Sequence, residues 1–375
     1  MSSFILDNIV EIPIKVKNNS TRIIVRGNYF NGHVLNTLAG KIKFLMNNYG
    51  NLSIKVLIRC RFISDMATIT VMEYILYTLF KETDFRISIS FRPDKKDYFC
   101  MYLFESILGK FINSNKSFIL AKKNFVECFE SEITQISTTH FRKVLNNSKK
   151  EEILSKTYSE LNFFLKQKIL DYSYKEDCLE AIMELCGNAL EHTNSNCILS
   201  LECGEAYINK NKVNVLTVVI SNLSNNLFFD KLKDMHQNKK RKFDVLDKAF
   251  LSHKRAIFDE NISYNLNRFY MVSAFQNGVS TRENQCGSGG TGLFKTINNI
   301  LGKTVDDLCY FLSGEEILFL KENLIIPSQD SYIGFNDTHN YISDIPDTNV
   351  FSSSGMYFNG TLIHLRFALG ELSEK

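Results

Sequence analysis

The chain has no tryptophan, although it carries 30 phenylalanines in 375 residues. Asparagine and lysine are also abundant, so we read this imbalance as compositional bias rather than function. It has no CxxC pair. Its nine cysteines are scattered, which argues against a zinc site and favours reduced thiols over a disulfide framework. The first residues, Met1-Ser-Ser-Phe-Ile-Leu-Asp7, lack the basic and then apolar runs of a signal peptide. No uncharged apolar stretch reaches membrane-spanning length. There is no internal repeat and no low-complexity stretch. The formal net charge of +3 is too small to imply nucleic acid. These absences lead us to expect a soluble cytoplasmic protein without a membrane or nucleic-acid partner. What is present is ordinary globular composition, 44% hydrophobic and 23% charged, in a chain long enough for two domains.

The N-terminal part alternates strand and helix signals. Residues 9–16 and 21–27 read as short strands flanking an Asn18-Asn19-Ser20 turn. Apolar residues at helical spacing predict helices over 34–48 and 66–82, the second capped by Asp65. Lys55–Arg59 and Phe85–Phe91 read as further strands. The β-β-α-β-α-β order implies helices packed on a sheet. Carried by Val56-Leu-Ile-Arg-Cys-Arg-Phe62-Ile-Ser64-Asp65-Met-Ala67, this region resembles a STAS domain, the small α/β module of anti-sigma-factor antagonists. The resemblance implies that Asp65 stands at the start of the helix that often bears a phosphorylated serine, a permanent charge there. The plainer alternative is that Asp65 only caps its helix. Further on, 97–113 reads as helix, Ser117–Ala121 as a strand and Ser131–His140 as a linker. We expect a boundary near 140, dividing a regulatory domain (1–140) from a second domain (141–375) that begins with a long helix over 148–170.

Two stretches of the second domain carry chemistry. In Glu184-Leu-Cys-Gly-Asn188-Ala-Leu-Glu191-His192, helical spacing sets Cys178, Leu179, Ile182, Cys186 and Ala189 on one face. Glu184, Asn188 and Glu191 fall on the other. A carboxamide oxygen is a hard ligand for Mg²⁺, and a carboxylate one turn away can orient or deprotonate an attacking hydroxyl. The plain alternative is a solvated polar helix face. In Gly287-Ser-Gly289-Gly290-Thr291-Gly292-Leu293, four glycines in six residues precede a helical pattern, leaving backbone amides free to wrap an anion. No GK[ST] follows, so this is not a Walker A loop, and no strand leads into it, so it is not a dinucleotide fingerprint. Between the two stretches, Val213–Ile220 reads as a strand buried on both faces, ending in Ser221-Asn222-Leu-Ser-Asn225. Residues from Phe358 through Gly360-Thr361 to Phe367 read as a closing strand.

In this order, the ExxxNAxEH helix, the strand with its polar turn, the GSGGTGL loop and the terminal Gly-Thr strand resemble the GHKL ATPase superfamily. That superfamily includes gyrase B subunits, histidine kinases and, nearest in kind, anti-sigma-factor serine kinases. The resemblance covers about 148–370 and implies a Bergerat-fold α/β sandwich binding ATP and Mg²⁺. It further implies Glu184 as general base, Asn188 as metal ligand, and Gly289, Gly290 and Gly292 as backbone donors to phosphate. Thr361 would lie near the adenine, and Gly287, Thr291, Leu293, Glu191 and His192 would complete the nucleotide site. Asn222 stands where the family carries an Asp that accepts from the adenine amino group. A neutral amide accepts less strongly. Residues 226–286 would form a lid whose Arg255, Arg268 and Arg282 are alternative cations for the γ-phosphate, while the run Lys239–Lys242 can equally be a solvated face. The 325–358 stretch reads as an insertion. His140 is not read as a phosphoacceptor. Together these expectations describe an α+β two-domain signalling protein with a regulatory protein partner. It is either an ATPase or serine kinase, an ATP-gated binding module without turnover, or an ATP-clamped homodimer.

Overall fold

The computed structural model describes residues 4–91, 103, 106–193, 195–208, 211–279, 292–305 and 308–369. It is a mixed α+β structure in two compact units, Met1–Gln135 with Ser354–Asn359, and Ile136–Ser353 with Gly360–Lys375.

The first unit begins with a short helix α1 (Phe4–Asp7) and contains a three-stranded, all-parallel sheet of β1 (Ser20–Phe30), β2 (Ser53–Ile63) and β3 (Arg86–Phe91). The crossovers are α2 (Gly32–Asn48) and α3 (Met66–Glu82). Each crossover helix is started by a side-chain cap. Asn31 accepts from Val34 N, and Asp65 accepts from Thr68 N at 2.8 Å. The order is therefore β-α-β-α-β, and the expected strand over 9–16 is not formed. That segment lies along α2 instead, with Ile12 N donating to Gly40 O at 3.0 Å. A side chain at Gly40 would put its Cβ 2.5 Å from Val10 O, so the glycine permits this close approach. Residues 97–102 of the expected 97–113 helix lie outside the described residues, and α4 covers Ile107–Ile112. The expected strand at Ser117–Ala121 is instead the first turn of helix α5 (Phe118–Glu130). Its Ala121, Phe125 and Phe129 recur at four-residue spacing, and Phe125 and Phe129 join Phe80, Phe111 and Tyr77 in an aromatic core. Helical periodicity over thirteen residues outweighs a local Phe-Ile-Leu run.

The second unit is built on a six-stranded sheet in the order β4-β5-β6-β7-β9-β8. Its strands are β4 (Gln135–Ile136), β5 (His140–Leu145), β6 (Cys197–Ile208), β7 (Asn211–Leu223), β8 (Tyr310–Phe319) and β9 (Phe351–Ala368). The pairs β5/β6, β6/β7 and β7/β9 are antiparallel. β5 and β8 were not legible as strands. The two ends of β8 come together, with Leu320 N donating to Cys309 O, and Gly314 between them takes φ +65°. Helices α6 (Lys150–Lys166) and α7 (Tyr172–Thr193) cover one sheet face. Along β7, Leu216, Val218 and Ile220 point into that core, while Thr217, Val219 and Ser221 on the opposite face are buried as well. Among the described residues, helices α8 (Asp230–Gln237), α9 (Asp244–Ile257), α10 (Leu266–Ser273) and α11 (Gly292–Ile300) follow.

The closing strand starts at Phe351 rather than Phe358, which shortens the insertion. The remainder of the insertion folds as an irregular segment around buried Asn336. Its Nδ2 donates to the carbonyls of Asn340, Asp344 and Ile345, and its Oδ1 accepts from Asn340 N. Gln276 fastens this segment to α10 through both main-chain groups of Ile333. Among the described residues no helix is long and apolar enough to cross a membrane. The seven described cysteines are free thiols.

Candidate functional site

All five residues assigned to the apolar face of α7, Cys178, Leu179, Ile182, Cys186 and Ala189, are buried. This packing places Glu184, half-buried, and Asn188, buried at 8% exposure, on the other face of the helix. Asn188 Nδ2 donates to Glu184 Oε1 at 3.3 Å, so the two predicted site residues touch. The bond directs the carboxamide nitrogen to the carboxylate, and the oxygen of a carboxamide is the atom that a hard cation prefers. Glu191 is drawn aside into an ion pair with Lys150 at the start of α6. The side chain of His192 lies outside the described residues.

Gly187 lies beside Glu184 on this face. A Cβ built there meets nothing within 4 Å. A glycine inside a helix costs about 1 kcal/mol relative to alanine. Among the described residues no packing neighbour requires it here, and it leaves open space beside the Glu184–Asn188 pair into which a Cβ would project.

The loop residues Gly287, Gly289, Gly290 and Thr291, and Arg282, lie outside the described residues. Gly292 and half-buried Leu293 open α11, which runs antiparallel to α7. Lys303 pairs with Asp177 at 3.0 Å. One stretch further along, Glu180 accepts from Lys295 through Oε1 and from Asn299 through Oε2. Both helices rise 1.5 Å per residue. Moving one turn forward from Glu180 and roughly one turn back from Lys295 therefore brings Glu184 level with the α11 N-terminus. Charge effects agree. The Lys295 ammonium is held above the usual lysine range, chiefly by its hydrogen bond to and the charge of Glu180, with a smaller contribution from Glu184. The Glu180 carboxyl is correspondingly held low, chiefly by Lys295. Sequence reasoning missed Glu180, although its position four residues before Glu184 puts it on the same helix face.

At the other end, Asn222 on β7 is opposite Thr361 on β9. It is fully buried, at 0% exposure. Nδ2 donates to Ala189 O at 2.9 Å and Oδ1 accepts from Thr361 N at 3.0 Å. Gly360 precedes Thr361 with φ +124°, and a Cβ there would fall 2.2 Å from Asn222 O. Asn222 therefore joins the turn of α7 that follows Asn188 to β9.

Of the candidate cations, Arg268 has defined partners. Arg268 is bound to Glu316 of β8 at 2.6 Å and to Ser263 O. Arg255 is exposed. Within the basic run, Lys240 and Lys242 pair locally with Asp234 and Asp244. A contact not foreseen from sequence links α8, α9 and α10. His236 of α8 meets Tyr270 OH of α10 at 2.7 Å and Asp247 of α9 at 3.0 Å. Burial, with the Asp247 charge second, pushes the Tyr270 hydroxyl up to about 12.

Among the described residues no cluster of three or more His, Cys, Asp and Glu side chains could hold a metal. A cation held mostly by ligand oxygens and water, with Asn188 as its protein contact, fits this donor set. Compared with protein-family models, curated proteins and solved structures, the chain matches none.

Proposed function

We propose that the second unit is a Mg²⁺-dependent ATP-binding unit of the GHKL type, with Glu184, Asn188 and the helix opened by the glycine loop at the phosphate end. One observation carries this reading. The Asp177–Lys303 and Glu180–Lys295/Asn299 contacts align α11 so that its N-terminus lies level with the Glu184–Asn188 pair. A helix N-terminus following a glycine-rich loop is an anion site. A carboxylate and a carboxamide facing it are the groups that phosphoryl chemistry needs.

Asn188 would hold Mg²⁺ through Oδ1, and the ion when bound would supply charge neutralisation at the phosphate oxygens. Glu184 is half-buried and already receives a hydrogen bond from Asn188. Its carboxylate would accept a proton from a water or a protein hydroxyl as that oxygen attacks the terminal phosphorus and the bond from that phosphorus to the bridging oxygen breaks, releasing ADP. The Glu180 contacts set the spacing between this base and the α11 amides. The first unit, with its STAS-like segment around Asp65, would serve as the regulatory, partner-binding half.

Calorimetry with ATP and ADP, with and without Mg²⁺, tests the reading, together with steady-state phosphate release. The expected outcome is Mg²⁺-dependent ATP binding, with release in the native chain that Glu184→Gln lowers by about 100-fold or more, the scale of general-base loss. Binding that Glu184→Gln preserves, with no release from the native chain above that variant, would favour the non-hydrolysing switch. Failure of any adenine nucleotide to bind would remove the proposal.

A further inference from the structure

We infer that Asn222 is a main-chain clamp and not a base reader, so that the proposed site takes nucleoside triphosphates by their polyphosphate and discriminates little among bases. This rests on the functional reading above. A side chain reads a base by presenting a fixed donor or acceptor that the base can touch. Asn222 presents none, since no part of it is exposed.

Its two amide ends are also assigned. Nδ2 faces the Ala189 carbonyl and Oδ1 faces the Thr361 N–H. Rotating the amide by half a turn would oppose oxygen to oxygen and N–H to N–H, so these two partners fix its orientation. A carboxylate would leave the buried Ala189 carbonyl facing an anion. The position therefore requires a donor, and a residue that only accepts from an exocyclic amino group cannot satisfy it. The rest of the turn offers no replacement. Ser221 and Ser224 are buried, and Ser224 Oγ already accepts from Asn226 N. Asn225 is exposed, but an amide offers both a donor and an acceptor and so serves either purine.

The clamp has a different task. It ties the α7 turn just after Asn188 to β9 beside Gly360, and so fixes the phosphate-end helix on the sheet. Calorimetry of the full chain with Mg²⁺ and ATP, GTP or inorganic tripolyphosphate tests the inference. ATP and GTP should bind with dissociation constants within about fivefold of each other, and tripolyphosphate should compete with both. A preference for ATP beyond about fivefold overturns the inference and leaves the ATP-binding proposal standing. Failure of all three to bind overturns both. Asn222→Asp should lower the melting temperature while leaving the ATP-to-GTP ratio unchanged. A variant that acquires selectivity would show that this side chain faces the base. Where that variant does not fold, the ratio measured on the native chain decides.

Discussion

Gly187→Ala probes the open space beside Glu184 in α7, because stability and binding should move in opposite directions. Gly187 is mid-helix, with the helix continuing to Thr193, and a Cβ there meets no atom within 4 Å. Alanine therefore gains helix propensity without a steric penalty, about 1 kcal/mol of added stability. In a unit of this size that is a rise of about 2–4 °C in melting temperature. The same methyl would project beside Glu184, into the space assigned to the phosphates. Forcing one methyl into an occupied contact costs roughly 1–3 kcal/mol, or about fivefold to 150-fold in affinity. Differential scanning calorimetry without nucleotide, followed by titration with Mg²⁺-ATP, measures both quantities on the same preparation. A variant that is more stable and binds normally would refute the placement of the phosphates. A variant that is less stable would refute the helix argument itself.

Buried His253 should make stability pH-dependent. Burial lowers its imidazole to about 4, opposed only partly by Asp344. The folded state thus favours the neutral ring, and this stability is present above the unfolded value of 6.5 and is lost as pH falls from there through about 4. Denaturation titrations should show about 2 kcal/mol of this loss by pH 5, and a His253→Gln variant should flatten that part of the profile. Lys143 is fully buried against Glu160 at 2.6 Å. Glu160→Ala should cost roughly 2–3 kcal/mol in urea unfolding, below the range for fully buried pairs because Glu160 is partly exposed. Gly360→Ala combines a φ of +124° with a Cβ 2.2 Å from Asn222 O, and should destabilise by about 3 kcal/mol or more. A wild-type melting curve for that variant would show that β9 can shift at no cost.

Local pattern was decisive where one periodicity ran long enough. The α7 face, the β7 run and the α2 and α3 crossovers follow from side chains repeating at 3.6 or 2 residues over two turns or more, and Asp65 follows from cap chemistry. The juxtaposition of Glu184 with Asn188 follows from the same repeat, since residues four apart share a helix face. Tertiary structure decided what depends on a distant partner. Residues 9–16 have strand-like composition but gain more by lying on α2 at Gly40 than by pairing at a sheet edge. Ser117–Ala121 became helix because Phe125 and Phe129 had an aromatic core to enter. Asn222 reads in sequence as a polar strand end beside a ligand. Only the fold brings Ala189 and Thr361, 33 residues before and 139 residues after it, to the two ends of its amide. A side chain's type is written in the sequence, but which of its hydrogen bonds the protein itself uses is settled when the chain closes around it.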